Sequence, residues 1–167
     1  MMMRKQKGFT LVELLVVIAV IAVLAGAVLI AINPQSLLQK SRDATRLSDM
    51  DTLVRAINLA LADSEITLAV DGPNDSGADG RGLAGDDGYV TFAIPGVKTG
   101  LAKFLPVLPV DPLNTGANVY TFQSTLTDFE VNAVLESPDN AAKASSDGGN
   151  EAGVYEAGTS LTIISAD

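Results

Sequence analysis

The stretch RKQKGFTLVELLVVIAVIAVLAGAVLIAIN, Arg4 to Asn33, decides how the rest of the chain is read. From Leu14 to Ile32 it runs 19 residues without a charge. As a helix that run is about 28 Å long at 1.5 Å per residue, close to the ~30 Å hydrocarbon thickness of a bilayer. One carboxylate, Glu13, stands at its start. An ionised group inside a membrane helix is costly, so its presence there asks for a function. Three bases, Arg4, Lys5 and Lys7, precede the run and favour a cytoplasmic N-terminus.

The totals narrow the rest. The chain has 167 residues and a net charge of −9, with no Cys, His or Trp. His–Cys metal sites, thiol nucleophiles and Ser-His-Asp triads are therefore excluded, and no disulfide can staple the fold. From Phe9 onward eight bases face twenty acids. Direct nucleic-acid binding needs a basic footprint and is not expected of such a surface. Arg42, Arg46 and Arg55 are the bases that an assembled surface could offer.

A secretory signal peptide has a shorter apolar core and a small-residue cleavage site after it. The run here is too long, and no Ala-x-Ala follows it. A plain anchor fits the length but leaves Gly8-Phe9 and Glu13 unexplained. The string Lys7-Gly8-Phe9-Thr10-Leu11-Val12-Glu13-Leu14-Leu15-Val16-Val17 closely resembles the class III signal of type IV prepilins and pseudopilins. The resemblance implies cleavage between Gly8 and Phe9 by a membrane prepilin peptidase, which also methylates the new amino terminus. It further implies that Glu13, one helical turn after Phe9, meets the N-terminal amine of a neighbouring subunit. Opposite charges in an apolar bundle attract strongly and would favour one register. The bland alternative is that Glu13 reaches toward the headgroups from the helix end.

Pro34 predicts either a kink near the membrane surface or a helix that ends at Asn33 and restarts with Pro34 in its first turn. Beyond it Ala44, Leu47, Met50, Val54, Ile57 and Leu61 recur at helical spacing. They predict an amphipathic helix with this stripe on the core. Residues 71–88 hold six Gly, one Pro and five Asp and read as a surface loop. Asp75, Asp79, Gly80 and Asp86 fall at EF-hand-like places, but Gly77 replaces a ligand and no helix–loop–helix frame is present.

Strand signals follow at 89–94, 119–122, 129–135, 154–156 and 161–164, with a hairpin turn between Ser124 and Asp128 and a helical turn at 101–105. In 129–135 Phe129, Val131, Ala133 and Leu135 share one face, while Glu130 and Asn132 take the other. That alternation reads as a half-buried antiparallel strand. Leu108-Pro109-Val110-Asp111-Pro112 predicts a rigid turn in which Asp111 bonds nearby backbone. It resembles the Pro-x-Asp-Pro segment of major pseudopilins. In those proteins a calcium ion often braces the C-terminal loop. The resemblance makes Asp139, Asp147, Asn150 and Glu151 the candidate ligands here, although a dense Asp cluster is missing.

The expectation is an α+β, pilin-like fold: a long N-terminal α-helix, membrane-spanning in its first half, packed on a small C-terminal antiparallel sheet. Residues 1–8 form a cleaved basic leader, 9–33 the membrane and assembly helix, 34–64 its amphipathic continuation and 65–167 the globular part. The protein is expected to be a filament subunit rather than an enzyme. It would be stored in the bacterial cytoplasmic membrane with the N-terminus in the cytoplasm and the C-terminal domain outside. Its partners would be the prepilin peptidase/methyltransferase, identical or related pilin subunits and membrane lipid. An assembly ATPase and a platform protein would act indirectly, since the chain has no phosphate-binding loop. No cofactor is required; calcium is the one candidate. A pseudopilin of a type II secretion or DNA-uptake system is the alternative within the family. An uncleaved, membrane-anchored extracytoplasmic binding module is the alternative outside it and predicts an intact leader and no filament.

Overall fold

The computed structural model describes residues 8–83, 85 and 87–165, the side chain of Ala31 excepted. The chain divides into two compact units, with the boundary between Leu38 and Gln39.

The first unit is built on α1, Leu11–Ile32. Leucine, valine, isoleucine and alanine fill nearly every position, so the helix is apolar all round rather than on one stripe. Such a surface belongs in lipid or among other helices. Leu11–Ile30 is long and apolar enough to cross a membrane. Asn33 closes the helix in the left-handed region, with φ 46°. Asparagine tolerates that conformation better than most residues. Pro34 then opens α2, Pro34–Ala62. The second of the two readings at Pro34 is the one the structure adopts: one helix ends and another begins with proline in its first turn.

In the second unit α2 packs against a four-stranded antiparallel sheet in the order β1–β2–β3–β4. The strands are Asp71–Asp75, Tyr120–Ser124, Phe129–Ala133 and Tyr155–Gly158. β2 and β3 pair from Tyr120 opposite Ala133 to Ser124 opposite Phe129, closed by Thr125–Asp128 as the alternation predicted. The α+β, pilin-like expectation is therefore met.

The core lies between α2 and one sheet face. Met50, Leu53, Ala56, Ile57 and Ala60 meet Tyr120, Phe122, Phe129, Val131 and Ala133, with Tyr89, Val90, Phe92, Leu101 and Leu108 filling in from the connections. The Phe122 and Phe129 rings stack with centroids 6.4 Å apart, a favourable aromatic geometry. The expected turn at 101–105 appears as a short 3-10 helix, Gly100–Lys103.

Five expectations need correction. The buried stripe of α2 is Asp43, Arg46, Met50, Leu53, Ala56, Ile57 and Ala60, whereas Ala44 is exposed and Leu47, Val54 and Leu61 are only half-buried. Counting apolar residues alone rotated the stripe, because two charged residues occupy its first turns. Residues 71–75 are not loop but β1, which reaches the edge of β2 through an irregular register between Asp71 and Asn74. Gly72 makes this approach, at φ +100°; an added Cβ would lie 2.7 Å from the Phe122 carbonyl oxygen.

Residues 89–94 form no strand. Ala93 bridges Thr67, while Tyr89, Val90 and Phe92 are buried individually. Leu161–Ile164 likewise form bends. Finally, β3 is buried on both faces, including Glu130 and Asn132, because the C-terminal segment folds across its polar side.

Candidate functional site

Gly8, Phe9 and Thr10 lie outside the helix, and Phe9 is 90% exposed. Gly8 has no atom within 4 Å of the place a Cβ would take. Among the described residues the Gly8–Phe9 bond is therefore exposed and lies outside the helix. A protease that binds its substrate as an extended strand needs that state.

Thr10 is the N-cap of α1. Its hydroxyl accepts the Glu13 N–H at 3.2 Å, and Glu13 Oε2 accepts the Thr10 N–H and hydroxyl at 2.8 Å each. This reciprocal capping box satisfies donors that a helix start otherwise leaves bare. The partial positive charge of the helix end also favours the carboxylate there. Glu13 thus has a partner within its own chain. The expected placing of Phe9 one turn from Glu13 on a helix face does not occur in the intact chain, since Phe9 precedes the cap. Thr10-x-x-Glu13 is itself a capping-box pattern, and the sequence reading passed over it. The leader bases Arg4, Lys5 and Lys7 lie outside the described residues.

Residues 3–29 match the family model described as the prokaryotic N-terminal methylation motif. The chain has the signal of a type IV pilin-type prepilin. No curated protein and no solved structure matches it. A prepilin signal implies processing by a prepilin peptidase and assembly with pilin subunits. It points to a structural subunit rather than an enzyme. With one apolar N-terminal helix, it describes a single-pass membrane-anchored protein.

A second polar constellation holds the globular head, the unit from Gln39 onward, together. Arg46 is fully buried. Its Nε donates to Asp111 Oδ2 at 2.5 Å and its Nη2 to Asp111 Oδ1 at 3.0 Å. Nη1 meets Asp43 Oδ1 at 2.9 Å and Glu136 Oε1 at 2.6 Å. The bidentate fork on Asp111 is the geometry in which arginine is strongest. Asp111 also accepts the Leu113 and Asn114 N–H groups, at 2.8 and 3.3 Å. The proline-rich turn therefore bonds its own backbone as expected and is tied to α2 as well.

Asp43 accepts the N–H groups of Glu136 and Ser137 and the Asn140 amide. Burial opposes the charge of Asp43, but the Asn140 amide, these N–H donors and Arg46 outweigh it and hold the carboxyl below its usual range. Arg42 donates to both oxygens of Glu136. Chiefly through Arg42, and against partial desolvation, Glu136 is lowered to about 2, with Arg46 helping. Arg46 is thus part of the interior, which corrects its reading as a surface base. Arg42 is engaged by Glu136, and Arg55 pairs with Asp51 at 2.6 Å on the exposed face.

The four calcium candidates are not gathered around one point. Asp139 pairs with Lys40 at 2.5 Å. Asp147 accepts the Gly149 and Glu156 N–H groups, one on each oxygen. Asn150 and Glu151 donate their N–H groups to the Glu156 carboxylate. In the EF-hand-like segment Asp75 and Asp79 bond backbone N–H groups of their own turn. Asp86 lies outside the described residues. Among the described residues no three His, Cys, Asp or Glu side chains converge as a metal site.

Proposed function

We propose that the chain is the structural subunit of a type IV pilus-like filament. The leader is removed between Gly8 and Phe9 and the Phe9 amine is methylated. The subunit waits in the cytoplasmic membrane with its head outside. The α1 helices then pack together as the filament core, and the head presents the surface. The observation that carries this reading is the junction itself: an exposed Gly8–Phe9 bond two residues ahead of a capped, 22-residue apolar helix, within the matched methylation motif.

Glu13 has two successive roles in this reading. In the precursor its carboxylate caps α1 through Thr10. After cleavage the new amine of a neighbouring Phe9 competes for the same oxygens, and an ion pair between subunits replaces the internal hydrogen bonds. Lys and Arg do not enter α1, so the amine is the natural cation for the core. An ATPase and a platform protein supply the work of extraction. The assembly needs no cofactor.

Absence of cysteine and the Pro109–Pro112 turn favour, as a second reading, a pseudopilin of a secretion or DNA-uptake system. The two differ in where the filament is found: shed on the cell surface, or confined to the envelope beneath a secretion channel.

The test is Glu13→Ala expressed in place of the wild-type chain. Cleavage should persist while filaments recovered by shearing fall at least about tenfold, the equivalent of 1.4 kcal/mol at one contact. Wild-type filament yield from the alanine variant would refute the assembly role of Glu13.

A further inference from the structure

Two residues, Phe9 and Thr10, separate the Gly8–Phe9 bond from Leu11, the first residue of α1. Extended, this link spans about 7 Å. The apolar run does not fix its length. Phenylalanine is an ordinary helix residue. A helix continued upstream would give the Phe9 carbonyl to the Glu13 N–H and the Gly8 carbonyl to the Val12 N–H.

Thr10 stops that continuation. Its backbone is extended, at φ −81° and ψ 155°, and its hydroxyl accepts the Glu13 N–H at 3.2 Å in place of the Phe9 carbonyl. The Thr10 N–H, which an upstream turn could otherwise use, is taken by Glu13 Oε2 at 2.8 Å. The helix ladder then opens with the Leu14 N–H on the Thr10 carbonyl at 3.3 Å.

Hydrolysis at the junction adds water across one amide. The hydroxyl joins the Gly8 carbonyl carbon, the bond to nitrogen breaks, and the proton goes to the Phe9 nitrogen. The bond and the helix belong to one substrate, so a peptidase that seats α1 meets the bond at the end of the two-residue link. A misplacement of about 1 Å costs on the order of a hundredfold in rate.

We propose that Thr10 is a positioning residue for leader removal. Its hydroxyl fixes where α1 begins, and so presents Gly8–Phe9 at one distance from the helix and in an extended form. This rests on the reading above that Gly8–Phe9 is the bond cut. Without the hydroxyl the helix start is no longer fixed. Fraying of the first turn lengthens the link. A restart at Gly8, since glycine caps about as well as threonine, removes the link and places the scissile carbonyl under the Val12 N–H. Both lower the share of chains that can dock. The Glu13 carboxylate is not needed for this step. The bond that fixes the start uses the backbone N–H of residue 13, which an alanine there retains.

The test is leader removal from the full-length precursor in detergent micelles by purified prepilin peptidase, followed by mass. Thr10→Ala should raise KM about fivefold, the population shift of a typical helix cap. Its kcat should not change, because the chains that dock are the same. Thr10→Val keeps the shape without the hydroxyl and should match alanine. Thr10→Ser keeps the hydroxyl and should restore the wild-type KM. Glu13→Ala should be cut close to the wild-type rate.

A wild-type KM in Thr10→Ala and Thr10→Val overturns the positioning role, and so does a serine variant as poor as alanine. A fall in kcat at unchanged KM overturns it too, because the hydroxyl then acts on the reacting atoms and not through the helix start. A wild-type chain left uncut at Gly8–Phe9 overturns the prepilin reading itself, and the positioning role with it. A wild-type chain that is cut, beside Thr10 variants cut equally well, overturns the positioning role alone.

Discussion

Replacing Arg46 by alanine tests whether the interior charges hold the head together. The side chain is fully buried and touches three carboxylates on three chain segments: Asp43 on α2, Asp111 in the proline-rich turn and Glu136 after β3. Its loss leaves Asp43 and Asp111 buried without a counter-charge, at 0% and 2% exposure. Breaking a buried pair from one side costs about 3–5 kcal/mol. Asp43 keeps three donors and Asp111 keeps two N–H groups, which argues for the lower end, about 3 kcal/mol.

A domain of this size is stable by about 5–15 kcal/mol, so the variant should fold but unfold at markedly lower urea. The chain has three tyrosines and no tryptophan, and Tyr89 and Tyr120 are fully buried. Near-ultraviolet circular dichroism of the micelle-bound chain therefore reports the head and not α1. Arg55→Ala is the internal reference: its partner Asp51 is exposed, and such pairs contribute about 0.5 kcal/mol or less. If Arg46→Ala costs no more than Arg55→Ala, the claim that buried ion pairs tie the turn and the β3 exit to α2 is wrong.

The same network sets an acid limit. Glu136 is lowered from 4.5 to about 2 and Asp43 is lowered as well, so the stability they contribute is present above their unfolded values and is lost as pH falls through the folded ones. The tyrosine signal should decay between about pH 4.5 and 2, and Glu136→Gln should remove part of that dependence. Tyr120→Phe deletes a 2.7 Å hydrogen bond to Asp49. It should cost about 1.5–3 kcal/mol, the range for bonds to charged groups, in the same urea titration. Thr10→Ala breaks the capping box and should weaken the first turn of α1 by about 0.5–2 kcal/mol. That loss would appear as faster amide exchange at residues 11–14 in micelles, with the rest of α1 unchanged.

How far sequence reaches depends on what hides the answer. The apolar helix, the β2–β3 hairpin and the turn at Asp111 are local in origin, since composition, alternation and two prolines dictate them. The N-terminal methylation motif was legible for the same reason: Gly8, Phe9 and Glu13 stand in a fixed order beside a continuous apolar run. The buried stripe of α2 was not, because Asp43 and Arg46 are buried only through carboxylates and N–H groups that arrive from residues 111 and 136–140. A hydropathy count cannot know those partners. Glu130 and Asn132 misled in a similar way. Their alternation marks a polar face, and whether water or another chain segment covers that face is settled far away in sequence, at 147–164. β1 was hidden by its glycine and proline, which signal turns unless a neighbouring strand needs close backbone approach.

The central claim is that this chain is a prepilin cut ahead of its apolar helix. Mass spectrometry of the protein recovered from native membranes or sheared filaments tests it most directly. The account predicts a chain that begins at Phe9, lacks residues 1–8 and carries the mass of one added methyl group at its amino terminus. A chain that retains its leader, or one cut beyond Ile32, would contradict it and leave Glu13 with no role beyond capping its own helix.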